Sequence, residues 1–361
     1  RNQESAKTPP SGIRADEAIV FYPTYGHYDR QASVWRFGVR GKFYEPEESS
    51  TKRAALIAVL ETTAGVGVEK DAIRDERIRP FLVDNERGKS VTIEVAGQQL
   101  LAGTSQANGQ FSSTLALEAG SLEIPDEKNS VQEVKAVLRS DDSRVFRGRV
   151  HLIGPKGLSV ISDIDDTIKH SQVTSKSELI KNTFLRDFRA VNGMAEMYTD
   201  LAKLDVAFHY VSGSPWQLYQ PLDTFMTEAG YPKGTFHLKD FRLKDSSAFE
   251  MLSSQEGTKL AAITPLLNAF PEREFVLIGD SGEQDPEIYG QIARDRPGQI
   301  TGIFIRNVTD EKSDDERFGI AFQSVPDDRW TLFDDASQIT EQINHLIEPR
   351  LRDKKKRGKG S

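Results

Sequence analysis

Five short apolar runs alternate with longer amphipathic stretches across the second half of the chain, and few architectures accept that rhythm. The runs are LSVIS (158–162), VAFHYVS (206–212), TFHL (235–238), EFVLIG (274–279) and ITGIFI (300–305). Each is too short for a stable helix and carries β-branched or aromatic residues, so each reads as a buried strand. Between them lie GMAEMYTDLAKL, PWQLYQPLDTFMTEAG and TKLAAITPLLNAF, apolar at helical spacing, with Gly193 and Gly230 at a helix start and a helix cap. Strands and helices in alternation imply crossover connections, and hence an α/β fold with a parallel sheet between two helical layers.

The first half has a different texture. AIVFYPTY, SVWRFGVRGKFY, SVTIEV and QFSSTLAL read as strands, with a tight-turn signal at Asn108-Gly109. They predict a separate β-rich, sandwich-like or small-barrel domain over residues 18–153. AALIAVLETT and DAIRDERI break the pattern as a helical insertion, whose expected role is packing and support. The Gly154-Pro155 turn marks the change, so the α/β domain is expected over 154–348. A length of 361 residues suits two such cores. Residues 1–17 form a polar leader that begins at Arg1 rather than Met, as in a processed chain or a fragment. Residues 349–361, RLRDKKKRGKGS, form a basic tail. Such a tail can touch an anionic surface, although disorder is the simpler expectation.

Charge and composition remove several classes of function. A net charge of −8 disfavours a nucleic-acid-binding surface, which needs a basic footprint. The absence of cysteine removes disulfides, thiolate metal sites and cysteine nucleophiles together. No apolar run is long enough to span a bilayer. The six histidines show no zinc spacing; His209 sits in a strand as an expected core residue, and His170 follows the first acidic loop. Gly65-Val66-Gly67 lacks a third glycine, since Lys70 stands there, so no dinucleotide site is expected.

Ligand groups in open α/β sheets gather beyond the carboxyl ends of strands, and the residues there are acidic. LSVIS runs into Asp163-Ile164-Asp165-Asp166-Thr167, FHYV into Ser212-Gly213-Ser214, and FVLIG into Asp280, with Asp285 five residues on. Phosphoryl transfer needs an attacking atom, a proton donor for the leaving oxygen and positive charge around the phosphoryl group. Asp163 can attack phosphorus as a carboxylate. Asp165 can protonate the leaving group and later activate water. Carboxylates converging on one point repel unless a hard cation neutralises them, which Mg²⁺ does with few protein ligands. Asp163, Asp165 through its backbone carbonyl, and Asp280 are its natural ligands, with Asp285 as a direct or outer addition. Lys259 and the Ser212 hydroxyl can hold the remaining phosphate oxygens; Lys239 and Lys244 compete with Lys259, which opens the helix leading into the Asp280 strand.

The DxDxT run, the strand-end serine, the lysine and the GDSxxxD run resemble, in order and spacing, the four motifs of the haloacid dehalogenase superfamily. DIDDTIKHSQV, YVSGSPWQ and LIGDSGEQDPEIY are similar to the catalytic domain of the actin-patch-associated phosphatidate phosphatase family. The resemblance covers residues 158–308. It implies a haloacid dehalogenase-like, Rossmann-type phosphatase domain with Asp163 as nucleophile, Asp165 as acid/base, and Ser212 and Lys259 on the phosphate. It further implies Mg²⁺ at Asp163, Asp165 and Asp280, with Thr167 holding the loop. The implied reaction is hydrolysis of a phosphomonoester through an aspartyl phosphate, with phosphatidate at a membrane surface as substrate. A partner for the β-rich domain is not specified.

Other readings of the same residues stay open. An EF-hand loop fails, because its sixth and twelfth positions need Gly and Glu where this chain has Ile168 and Thr174. Asp280 and Asp285 can serve as helix caps, and Ser212 as a turn former. The short stretches 168–192 and 215–258 are expected to cover the site lightly, which admits a phosphoprotein or polynucleotide-end phosphatase. A non-catalytic binding protein on a retained phosphatase scaffold is the alternative from another class.

Overall fold

The computed structural model describes residues 8–47, 50–65, 74–121, 129–241 and 256–357. Lys244, Gly67, Lys70 and the two ends of the chain lie outside them. The chain divides into two compact units, residues 1–52 with 82–154, and residues 53–81 with 155–361.

The first unit is a curled mixed sheet of β1 (Ala18–Tyr22), β2 (Thr24–Asp29), β3 (Val34–Glu45), β4 (Asp84–Asn85), β5 (Ser90–Val95), β6 (Gln98–Thr104), β7 (Gln110–Glu118), β8 (Ser130–Ala136) and β9 (Arg147–Ile153). Its order is β1-β3-β2-β9-β8-β5-β6, with β4 and β7 also on β3. AIVFYPTY, read as one strand, is two, divided at Pro23, which has no N–H for a ladder. The pairing of β2 with β9 is parallel, so the sheet is not purely antiparallel. Trp35, Phe37 and Val39 alternate inward along β3 while Arg36 faces out, the period of two that a half-buried strand needs. They join Phe21, Phe43, Phe111 and Leu152 in one apolar core.

Between β3 and β4 the chain forms α1 (Ser50–Ala64) and α2 (Asp75–Leu82), most of which belong to the second unit. That unit holds β10 (Leu158–Ser162), α3 (Lys176–Phe184), α4 (Met194–Lys203), β11 (Ala207–Pro215), α5 (Tyr219–Glu228) and β12 (Thr235–Lys239). It continues with α6 (Glu256–Ala269), β13 (Glu274–Asp280), α7 (Asp285–Asp295), β14 (Ile300–Arg306), α8 (Glu316–Ala321), β15 (Trp330–Phe333) and α9 (Ser337–Arg357). The sheet is parallel throughout, in the order β12-β11-β10-β13-β14-β15. Every residue of β10 is buried, which is why LSVIS shows no alternation. The backbone of α9 is helical through Arg357, so the basic stretch expected to be disordered continues a helix to that residue.

Strand order fixes where a site can form. From β10 the chain builds outward through β11 and β12, then returns to place β13 on the opposite flank of β10. The carboxyl ends of β10 and β13 therefore lie side by side at the point where the winding reverses.

Candidate active site

Asp163 follows directly on β10, and its N–H donates to the carbonyl of Ile278 on β13 at 2.8 Å. Asp280 ends β13. Asp285 opens α7, where the helix dipole favours an anion; one carboxylate oxygen accepts from the Asp280 N–H at 3.2 Å. One oxygen from each of the three carboxylates lies within 4.8 Å of the others, and all three residues are buried. Lys259 on α6 reaches into them, with Nζ 2.8 Å from Asp163 and 3.1 Å from Glu283, and a further ion pair to Asp285.

Three carboxylates thus pair with one ammonium and a fourth, Asp280, stands beside them, so the single positive charge cannot neutralise the cluster. Burial pushes Asp163 well above the usual carboxylate range; Lys259 opposes the rise, while Asp285 and Glu283 add to it. Asp280 is raised by burial and by Asp285 and Asp163, and Glu283 by burial despite Lys259. Burial works against the Lys259 charge, but Asp163, Asp285 and Glu283 hold its proton well above the ordinary lysine value. Apart from the Lys259 ion pair at Asp163 Oδ1, both Asp163 oxygens and Asp280 Oδ2 lack a hydrogen-bond partner among the described residues. Buried, unsatisfied carboxylate oxygens with excess negative charge fit a hard divalent cation. The trio Asp163, Asp280 and Asp285 can hold one.

Asp165 stands apart from that trio. Its Oδ1 accepts from Ser171 Oγ at 2.6 Å and pairs with Lys169 Nζ at 2.7 Å. Its Oδ2 accepts from Ser212 Oγ at 2.9 Å and Ser214 Oγ at 3.0 Å. Burial raises its pKa, but Lys169 and the hydroxyls outweigh that and bring it to about 2. Ser212, read from sequence as a phosphate contact, here donates to Asp165. Asp166 closes the loop: its φ is +54°, and its carboxylate accepts from the N–H groups of Ser171, Gln172 and Val173 at 2.7, 2.9 and 2.6 Å. Thr167 Oγ1 is buried without a hydrogen-bond partner among the described residues.

Lys169, Ser171, Ser214 and Glu283 were not singled out from the sequence. All four lie within the motif runs DIDDTIKHSQV, YVSGSPWQ and LIGDSGEQDPEIY, but Lys169 and Ser171 meet Asp165 only because the Asp166 turn folds the loop back. Lys239 ends β12, the outer strand two places from β10. His209 lies inside β11 with Nδ1 2.8 Å from Thr235 Oγ1, as a core residue would. His170 is half-buried, its N–H bonded to the Arg189 carbonyl at 2.9 Å.

The region that holds this site is similar in sequence to known proteins. Residues 158–307 match the family described as phosphatidate phosphatase APP1, catalytic domain. Phosphatidate phosphatase APP1 of Saccharomyces cerevisiae is 31% identical over 257 residues, 69% of this chain and 43% of that protein. An uncharacterized protein of Schizosaccharomyces pombe is 32% identical over 190 residues, 50% of this chain and 31% of its own. The chain therefore spans less than half the length of these curated relatives. A solved β-glucuronidase of Parabacteroides merdae aligns over 81% of this chain and 34% of its own at 8% identity, with a TM-score of 0.27, too low to carry an argument.

Proposed function

Taking residues 158–307 as a region like the phosphatidate phosphatase APP1 catalytic domain, we propose that this chain is a Mg²⁺-dependent phosphatase that hydrolyses a phosphomonoester through an aspartyl phosphate. Phosphatidate, presented at a membrane surface and yielding diacylglycerol, is the substrate this reading assigns. The second unit is read as a three-layer, haloacid dehalogenase-like Rossmann arrangement, and the first as a sandwich-like module. The observation that carries the proposal is the meeting of Asp163, Asp280, Asp285 and Lys259 at the adjoining ends of β10 and β13.

In this reading Asp163, Asp280 and Asp285 hold the cation, with the Asp165 carbonyl as a further ligand. Bound Mg²⁺ supplies charge neutralisation and polarises the phosphoryl group. Neutralisation matters first for Asp163, whose burial otherwise favours the protonated, unreactive form. An Asp163 oxygen bonds to phosphorus as the ester P–O bond breaks, and the departing oxygen takes the Asp165 proton. Asp165 then removes a proton from water as that water attacks the phosphoryl group, releasing inorganic phosphate and restoring the Asp163 carboxylate. Asp165 must carry a proton for the first step, and a phosphate dianion arriving beside it raises its proton affinity by like charge. Lys259 and Ser212 then hold phosphate oxygens.

Phosphate release from phosphatidate vesicles and from p-nitrophenyl phosphate, each with and without Mg²⁺, tests the proposal. Mg²⁺-dependent release from both is expected. Release from a phosphopeptide or a polynucleotide end in place of phosphatidate reassigns the substrate, and folded protein inert on all of them identifies a binding protein on a phosphatase scaffold. Among the described residues no helix is long and apolar enough to cross a membrane.

A further inference from the structure

The region matching the catalytic-domain family begins at residue 158, yet the second unit also contains residues 53–81. That stretch grips α3 and the residues just after it. Arg77 on α2 is buried, and its Nη1 donates to the carbonyls of Thr183 at 2.9 Å and Arg186 at 2.5 Å. The Arg74 N–H donates to the Phe184 carbonyl at 2.9 Å, and its guanidinium pairs with Asp187 at 3.1 Å. Ser177 Oγ donates to the Ala64 carbonyl at 2.6 Å.

The grip extends to the acid/base residue through one aromatic ring. The Arg77 guanidinium carbon lies 3.6 Å from the centroid of the Phe188 ring, and Lys169 Nζ lies 4.9 Å from the same centroid. Lys169 is the amine that pairs with Asp165 at 2.7 Å. A ring face attracts cations, so the ring's position bears on where the ammonium rests. Arg77 fixes the ring twice, by stacking on it and by holding the backbone at 183 and 186. Phe225 packs edge-on against Phe188 at 5.5 Å and limits its movement on another side.

We infer that α1 and α2 are a working part of the catalytic unit, in which Arg77, acting through Phe188 and Lys169, is a positioning residue for the Asp165 carboxyl. The inference rests on the acid/base role given to Asp165 above. A misplaced general acid harms poor leaving groups selectively, because p-nitrophenolate departs without a proton and an alkoxide does not. General acid catalysis contributes about 10²–10⁴-fold, so partial misplacement is expected to remove on the order of 10-fold.

The test compares Arg77→Gln, Arg77→Lys and Phe188→Leu in the full chain, with kcat/KM measured on a short-chain phosphatidate and on p-nitrophenyl phosphate. The expected result is a loss of about 10-fold on phosphatidate for Arg77→Gln and Phe188→Leu, a much smaller loss on the aryl ester, and recovery in Arg77→Lys. Equal losses on both esters, following the fraction of folded protein, overturn the inference. Should the unaltered chain hydrolyse neither ester, the proposed function fails and hydrogen exchange decides the inference instead. Faster exchange at residues 165–173 in Arg77→Gln, with residues 278–285 unchanged, supports the link; unchanged exchange at 165–173 overturns it.

Discussion

Asp163 is a side chain whose burial is tolerable only with help. It is fully buried, it faces Asp285 and Glu283 as well as Lys259, and beyond the Lys259 ion pair its oxygens lack hydrogen bonds among the described residues. Asp163→Asn removes a charge the apo site disfavours, so its melting temperature in chelator should equal or exceed that of the parent. Turnover should fall by at least 10³-fold, on the order of an activated nucleophile's contribution. Calorimetry in EDTA beside phosphate release in Mg²⁺ checks both, and a variant that melts well below the parent in EDTA contradicts the electrostatic account. Lys42 on β3 offers a second case. Burial, with Lys52 nearby, holds it down at about 8 against an ordinary value of 10.5. Below pH 8 the lysine is charged folded and unfolded, and the full cost of the buried charge is present. Between pH 8 and 10.5 the unfolded chain binds more protons, so this group's contribution makes stability rise with pH, by up to about 3 kcal/mol. Lys42→Met should lose that rise, and denaturant titrations at pH 7.5 and 10 that give parent and variant the same pH dependence would refute it.

At the level of strands and helices, closeness between β13 and α7 shapes the site. A Cβ on Gly279 would stand 2.7 Å from Asp285 Cγ and 2.8 Å from its Cβ, so only glycine lets the start of α7 come this near. Gly279→Ala should destabilise by about 1–3 kcal/mol and reduce turnover about 10²-fold by shifting Asp285 and Lys259. An alanine variant with parental melting and activity would show that the approach has slack. These elements also show what a sequence discloses. Asp163 and Asp280 could be placed at strand ends because fully apolar runs mark buried parallel strands, and Lys259 because an amphipathic run follows it. The loop 165–173 had no such signal. Its shape comes from one carboxylate, Asp166, collecting three backbone N–H groups, and no periodicity announces such a turn. The strand β15 also escaped notice, since WTLF is short and only half-buried. Arg77 was legible only as a residue of an inserted helix, because its partners lie more than a hundred positions away.

For the molecule as a whole, excess buried negative charge makes the second unit dependent on what binds it. Mg²⁺ binding the folded site alone should raise the melting transition of that unit, by about 2.7 kcal/mol at a hundredfold excess over its dissociation constant. That amounts to roughly 5–10 °C for a unit of this size. Differential scanning calorimetry with stepwise Mg²⁺ checks this, with Asp280→Asn expected to blunt the shift; a transition indifferent to Mg²⁺ and EDTA counts against a cation at the trio.

The division of the chain as 1–52 with 82–154, and 53–81 with 155–361, has a consequence for biosynthesis. On the ribosome most of α1 and α2 emerge long before the strands they belong with, and must wait while β4 to β9 of the curled sheet are made. A protease nicking the chain at residue 154 would likewise separate the parallel sheet from its first helices, which stay covalently attached to the other product. Each unit is completed only when two separate lengths of polypeptide have come together.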